Sequence, residues 1–155
     1  MRKAAPPVRS ILATLDGSKV APLVFWTAAT MARDLRAQVF LVHVLSSLPP
    51  DIPPAAHTPP DHVEATLENV TRVSLRALMA EAPGVGFGPP IVVEGEPWRC
   101  ILEVARDLDT DLIIMGSHRY HGMDRVLGTT AAKVVNHADR NVLVVHERKK
   151  VLPGT

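Results

Sequence analysis

The chain has 155 residues, of which 46% are hydrophobic and 4% aromatic, with a formal charge of +1 and one cysteine. That size buries a core without disulfides or metals and suggests one domain, and the apolar content excludes a disordered chain. A near-zero charge, few aromatics and no long apolar run speak against nucleic acid and membrane as partners, and the lone Cys100 and the lack of a signal-like segment after Met1-Arg2-Lys3 predict a cytoplasmic protein.

Ser10 to Asp16 reads as a short buried strand. Gly17-Ser18 is a turn, with Ser18 as the cap of the next helix. Val20 to Leu35 has helical spacing, with Leu23, Ala28, Met31 and Leu35 inward and Pro22 in the first turn. Gln38 to Leu45 is the second strand. Residues 46–60 hold six prolines and no periodicity, so they form a loop. Asp61 to Ala82 is an amphipathic helix with Val63, Leu67, Val70, Val73 (or Ser74) and Leu78 on one side. Pro83 to Pro90 is a turn, which also accounts for the glycines at 84, 86 and 88. Ile91 to Val93 is a third strand, broken at Gly95. Pro97 opens a helix to about Asp107, with Ile101, Leu102 and Ala105 inward. Leu112 to Met115 is the fourth strand, Ala131 to His137 a helix, and Asn141 to His146 the fifth strand; Glu147 to Thr155 is a frayed tail. The near-continuous apolar strands predict a doubly wound, three-layer α/β domain spanning 1–155, with five parallel strands.

The segment Met115 to Thr130 carries the chemistry. It joins a buried strand to a helix through Gly116 and Gly128, and ligands in parallel α/β sheets sit at such carboxyl ends. Backbone N–H groups at the helix start attract phosphate, and Thr129 and Thr130 add hydroxyls. Gly116 would let a ligand approach the strand end, and Gly128 would turn N–H groups outward. The same residues also fit a plain turn followed by a Thr129 cap. There is no G-x-x-x-x-G-K-[ST] phosphate loop. His118 and His121 form an H-x-x-H pair near Asp124, short of the ligands that a zinc site needs. His43, in a strand, reads as a packed, hydrogen-bonded core residue, and Cys100 as a buried or half-buried helical thiol.

Met115-Gly116-Ser117-His118, Leu127-Gly128-Thr129, Val134, His137-Ala138 and Val142 to Val145, together with Ile11 to Ser18, Leu41 to Val44 and Glu94 to Pro97, resemble the universal stress protein family. The resemblance runs from Arg9 to Arg148. Its ATP-binding members carry G-x2-G-x9-G-[ST]; here Arg119 stands where the second glycine is expected and the loop is one residue shorter. A family subgroup reading G-S-H-x-P…L-G-S has this shorter loop, with a proline where Tyr120 stands here.

The resemblance implies ATP, together with Mg²⁺, across the carboxyl edge of the sheet. Asp16 would meet the ribose or adenine edge. Thr14 and Val44 would line the adenine pocket, the Val44 backbone reading the base. Met115 and Gly116 would lie beneath the ribose, and Gly128, Thr129 and Thr130 would hold the phosphates with His118 and Arg119 nearby. It further implies a stress-response module acting through protein partners, and a homodimer through the last strand, Val142 to Val145. The apolar edge of that strand fits such pairing. No residue stands out as a base for hydrolysis. The alternative is a nucleotide-free, dimeric interaction module of the same fold, favoured by Arg119 and the short loop. A third reading, an adenylate-cleaving enzyme of the related nucleotide α-hydrolase group, needs a substrate domain for which 155 residues leave no room.

Overall fold

The computed structural model describes residues 4–46, 60–117 and 127–148, leaving aside the side chains of 60–64. Its elements run β1 (Ser10–Thr14), α1 (Ala21–Leu35), β2 (Gln38–Leu45), α2 (Pro60–Ala80), β3 (Gly86–Phe87), β4 (Ile91–Glu94), α3 (Pro97–Asp107), β5 (Leu112–Gly116), α4 (Thr129–His137) and β6 (Asn141–Val145). Every strand pairing is parallel, in the order β3-β2-β1-β5-β6, with β4 also on β2. The sheet thus has six strands rather than the five expected.

The extra strand comes from the stretch read as a turn. Gly86 and Phe87 pair with Gln38 and Val39, and Ile91 to Glu94 pair with Val42 to Leu45. Both pieces lie on the same side of β2, and the Gly88 N–H donates to Val39 O at 2.9 Å. They form one edge strand interrupted at Pro89-Pro90. Two successive residues without an N–H cannot continue a ladder, which is also why the sequence reads as a break there.

Side chains alternate between two cores, as a strand period of two requires. Ile11, Ala13, Val39, Leu41, Leu112 and Ile114 meet α1 and α2. Leu12, Val42, Ile113 and Met115 meet α3 and α4 through Ile101, Leu102, Ala105, Ala131 and Val134. The α3 inward face is as predicted. Those of α1 and α2 are so only in part: Ala28, Met31 and Leu78 pack on the core, while Leu23, Leu35, Leu67, Val70 and Val73 do not. On α1, Val24, Phe25, Ala28, Ala29 and Ala32 are buried, while Leu23 and Leu35 are 42% and 46% exposed. Three alanines let the helix lie close to the sheet, and the leucines fall on its flanks. On α2, Leu67, Val70 and Val73 are exposed, Leu75 is buried, and Leu78 and Met79 are half-buried. The inward stripe passes through Thr71 and Arg72, and polar residues hid it from a hydrophobicity reading. Arg72 packs its stem and sends Nη1 to Pro90 O at 2.8 Å.

Ser18 is not the α1 cap. Val20 holds that position without a side-chain bond, and Ser18 Oγ accepts the Val20 N–H at 3.3 Å. The Asp16 carboxylate accepts the Ser18 N–H at 3.0 Å, folding a local turn over Gly17, whose φ is +74°. At the amino edge, Asp111 Oδ2 accepts the Arg9 N–H at 2.8 Å, the Ser10 N–H at 3.0 Å and the Ser10 hydroxyl at 3.2 Å, tying β1 to β5.

Candidate functional site

Chain progress reverses between β1 and β5: the chain steps outward from β1 through β2, then returns to start again at β5. At their carboxyl ends the two strands part, and a crevice opens. It is a cavity of about 600 Å³. β1 and the turn after it contribute Thr14, Leu15 and Asp16; β2 contributes Val42 to Leu45; β5 contributes Met115 and Gly116. Pro97 and Ile101 come from α3, and Gly128 to Ala131 from the start of α4.

Eight of the ten site residues expected from sequence therefore line one cavity: Thr14, Asp16, Val44, Met115, Gly116, Gly128, Thr129 and Thr130. The other two, His118 and Arg119, lie outside the described residues, as do His121 and Asp124. Among the described residues no three His, Cys, Asp or Glu side chains gather as a metal site.

Two sets of backbone groups face this space. The first helical bond of α4 runs from the Ala132 N–H to Gly128 O. The N–H groups of Thr129, Thr130 and Ala131 precede it and have no acceptor within the helix. They form the positive end of the α4 dipole. The second set belongs to β2. Val42 O accepts the Leu15 N–H at 2.9 Å, so Val42 presents its backbone toward β1. Two residues on, Val44 presents its N–H and C=O the same way. β1 has left the sheet by then, since its pairing ends at Thr14 with Val42.

The two loop glycines have different local reasons, and at Gly128 it is not the special turn expected. A Cβ on Gly116 would lie 2.9 Å from Val20 Cγ1 and 3.3 Å from Val24 Cγ2, so its missing side chain makes room for α1. Gly128 has φ −55° and ψ 156°, a conformation open to any residue, so no special turn demands it. What a side chain there would change is the approach to the α4 N–H groups. The Gly128 N–H itself is held by the hydroxyl of buried Ser117 at 3.2 Å, and the Ser117 N–H by Val145 O at 3.1 Å. Gly128, not Thr129, is the N-cap of α4.

His43 is hydrogen-bonded as expected, but it is half-buried rather than a core residue. Its Nδ1–H donates to Leu15 O at 2.5 Å, which leaves Nε2 as the acceptor of the neutral ring. That it also lines the cavity, next to the expected Val44, was not foreseen. A cluster at the starts of α3 and α4 was missed as well. Glu96 accepts the Trp98 Nε1–H at 2.7 Å and pairs with Arg99 Nε at 3.1 Å and Lys133 Nζ at 3.6 Å. The Trp98 bond holds the Glu96 carboxyl below its ordinary pKa, with Arg99 and Lys133 assisting against a smaller effect of burial. His137 leans on the Trp98 ring, with centroids 4.8 Å apart. Cys100 is half-buried as expected; burial, and then the Glu103 charge, push its thiol pKa up.

The model of the universal stress protein family matches residues 7–146. Universal stress protein A homolog 1 of Coxiella burnetii is 30% identical over 138 residues, covering 88% of this chain and 95% of its own. Among solved structures, the hypothetical protein MJ0577 superposes with a TM-score of 0.76 at 23% identity, over 94% of this chain and all of that one. A universal stress protein in complex with cAMP gives 0.65 at 17% identity, over 91% and 98% of the two chains. The universal stress protein from Archaeoglobus fulgidus in complex with dAMP gives 0.59 at 22%, over 88% and 96%. With the parallel sheet and the switch-point cavity already in place, the match across nearly the whole length settles the classification: the chain belongs to the universal stress protein family.

Proposed function

We propose that this protein binds ATP, together with Mg²⁺, in the switch-point cavity, and acts in the cytoplasm as a stress-response module whose partners read the nucleotide state. The observation that carries the reading is the meeting, on one cavity, of the open N–H groups of α4 and the Val44 backbone edge. The cavity has two chemical ends. Val42, Val44, Ile101 and Met115 make an apolar wall suited to a flat base. Thr129, Thr130 and the α4 dipole make an anion-seeking end. A nucleotide has the same division.

Within that reading, the Val44 N–H and C=O pair with the adenine edge and Thr14 packs beside it. Asp16 takes the ribose hydroxyls or the adenine edge. Met115 and Gly116 lie beneath the ribose. Gly128, Thr129 and Thr130 hold phosphate oxygens, with His118 and Arg119 supplied by the loop between. The two structural relatives in complex with cAMP and with dAMP support an adenine nucleotide in this fold. Binding alone accelerates nothing, and no catalytic role is assigned.

Calorimetric titration of Mg-ATP tests the site. Wild type should bind at about micromolar Kd, roughly 8 kcal/mol of binding free energy. Gly128→Val should abolish binding, and circular dichroism of the variant separates loss of the site from loss of the fold at this buried position. No binding by wild type would replace this reading with a nucleotide-free interaction module. The homodimer is proposed through β6, which ends the sheet with Val142, Leu143 and Val144 half-buried. Light scattering at twice the chain mass is the expected result.

A further inference from the structure

We propose that Lys133 is a phosphate-binding residue of the nucleotide site, held by Glu96 in the ligand-free protein and released to the phosphate when ligand enters. The inference rests on the nucleotide reading above.

Lys133 lies one turn beyond Thr129 on α4, so the two share a helix face. A helical side chain leans toward the amino end of its helix, and Lys133 therefore reaches back over the turn that opens on the cavity. Its ammonium lies 3.6 Å from Glu96 Oε1 and 5.9 Å from the Trp98 ring centre, beside the cavity and not among the residues that line it. Glu96 immediately precedes Pro97, which lines the cavity wall. The pair thus stands where the starts of α3 and α4 flank the anion-seeking end.

The pair is built to exchange. Both side chains are about half exposed, at 50% and 48%, and such surface pairs are weak. Glu96 is not stranded when Lys133 leaves, because the Trp98 Nε1–H at 2.7 Å and Arg99 Nε at 3.1 Å remain on it. Arg99 is the closer cation to the carboxylate, which leaves Lys133 as the one more readily given up. A phosphate before α4 offers Lys133 more charge than Glu96 does, and it shares the field of the helix dipole. Glu96 has the opposite effect on the ligand. A carboxylate beside the phosphate end repels phosphate and holds Lys133 back from it, so in this scheme Glu96 competes for Lys133 and weakens nucleotide binding.

The test compares Mg-ATP with adenosine, which lacks phosphate, by calorimetry on wild type, Lys133→Gln and Glu96→Gln. Lys133→Gln should weaken ATP by about tenfold and leave adenosine unchanged. Glu96→Gln should tighten ATP and leave adenosine unchanged. Retained adenosine binding certifies that each variant is folded. If wild type binds ATP but Lys133→Gln weakens both ligands alike, or neither, the role of Lys133 is overturned and the site stands. A Glu96→Gln variant that binds ATP more weakly also overturns it. If wild type binds neither ligand, the site reading falls with it.

Discussion

Gly116→Ala separates two explanations of the same glycine. One methyl group placed on Gly116 sits 2.9 Å from Val20 Cγ1, 3.3 Å from Val20 Cβ and 3.3 Å from Val24 Cγ2. Comfortable carbon contacts begin at about 3.5 Å. Val20 and Val24 are 7% and 1% exposed, so neither can swing into solvent. Either α1 lifts from the sheet or the β5 end shifts, and overpacking of this kind costs about 1–3 kcal/mol. For a domain of this length, each kcal/mol lowers Tm by about 2–4 °C, so a cost near 2 kcal/mol gives a fall of about 4–8 °C. The assay is thermal and urea unfolding of ligand-free protein followed by circular dichroism. Val20→Ala removes Cγ1, the tightest of the three contacts, together with Cγ2, and by itself costs about 1.6 kcal/mol. In the double variant the 2.9 Å overlap disappears and only the two 3.3 Å contacts remain, so the two costs should fall short of their sum by about 1 kcal/mol or more. Additive losses, or a Gly116→Ala Tm equal to wild type, would refute the packing account. Folded Gly116→Ala should still bind Mg-ATP much as wild type does, because the new methyl faces α1. Loss of binding at unchanged stability would instead restore the view that the glycine serves the ligand.

Two further substitutions probe the supports of the fold. Ser117→Ala leaves the buried Gly128 N–H without its acceptor, and should lower unfolding free energy by about 1–3 kcal/mol; a smaller loss in urea titration would mean that the bond is dispensable. Asp111 is held below its ordinary pKa chiefly by the Arg9 N–H and then by Ser10, against some cost of burial. A depressed folded pKa contributes stability above the unfolded value of about 3.9, and this is lost as pH falls through the folded pKa. The Tm deficit of Asp111→Asn at neutral pH should therefore shrink below about pH 4, and a deficit that stays constant into strong acid would contradict the assignment.

The order of elements was legible because parallel strands buried on both faces write themselves as apolar runs such as Ile11 to Ala13, Val39 to Val42 and Leu112 to Met115. Site membership was legible for a related reason. In a parallel sheet every strand's carboxyl end lies on one edge, so Thr14, Val44 and Met115 meet once the topology is right. What escaped were features decided by neighbours. The edge strand through Gly86 to Glu94 is interrupted by prolines and looks like a turn until β2 supplies its register. The α1 core face consists largely of alanines, which carry little hydrophobic signal, while its leucines draw the eye to the wrong side. The cluster joins Glu96 and Trp98, two positions apart, to Lys133 on another helix, and no local spacing announces that meeting.

The cavity itself follows from how the strands around it are packed. On one face of β5, Val20 and Val24 fill the space that Gly116 leaves. On the other, Ile101, Ala131 and Val134 close over Met115, which is 2% exposed. Neither face offers room for a ligand deeper in the sheet. Room opens where β1 turns away after Thr14, because β2 continues to Leu45 and β5 to Gly116 while the strand between them stops. The backbone edge of β2 that would have paired with β1 is thereby turned toward the cavity, facing the start of α4 across it. The Ser117 hydroxyl fixes the distance of that helix start from the sheet through its bond to Gly128. A nucleotide placed there would complete a row of hydrogen bonds that the fold begins, so the proposed site depends on the shortness of β1 more than on either glycine.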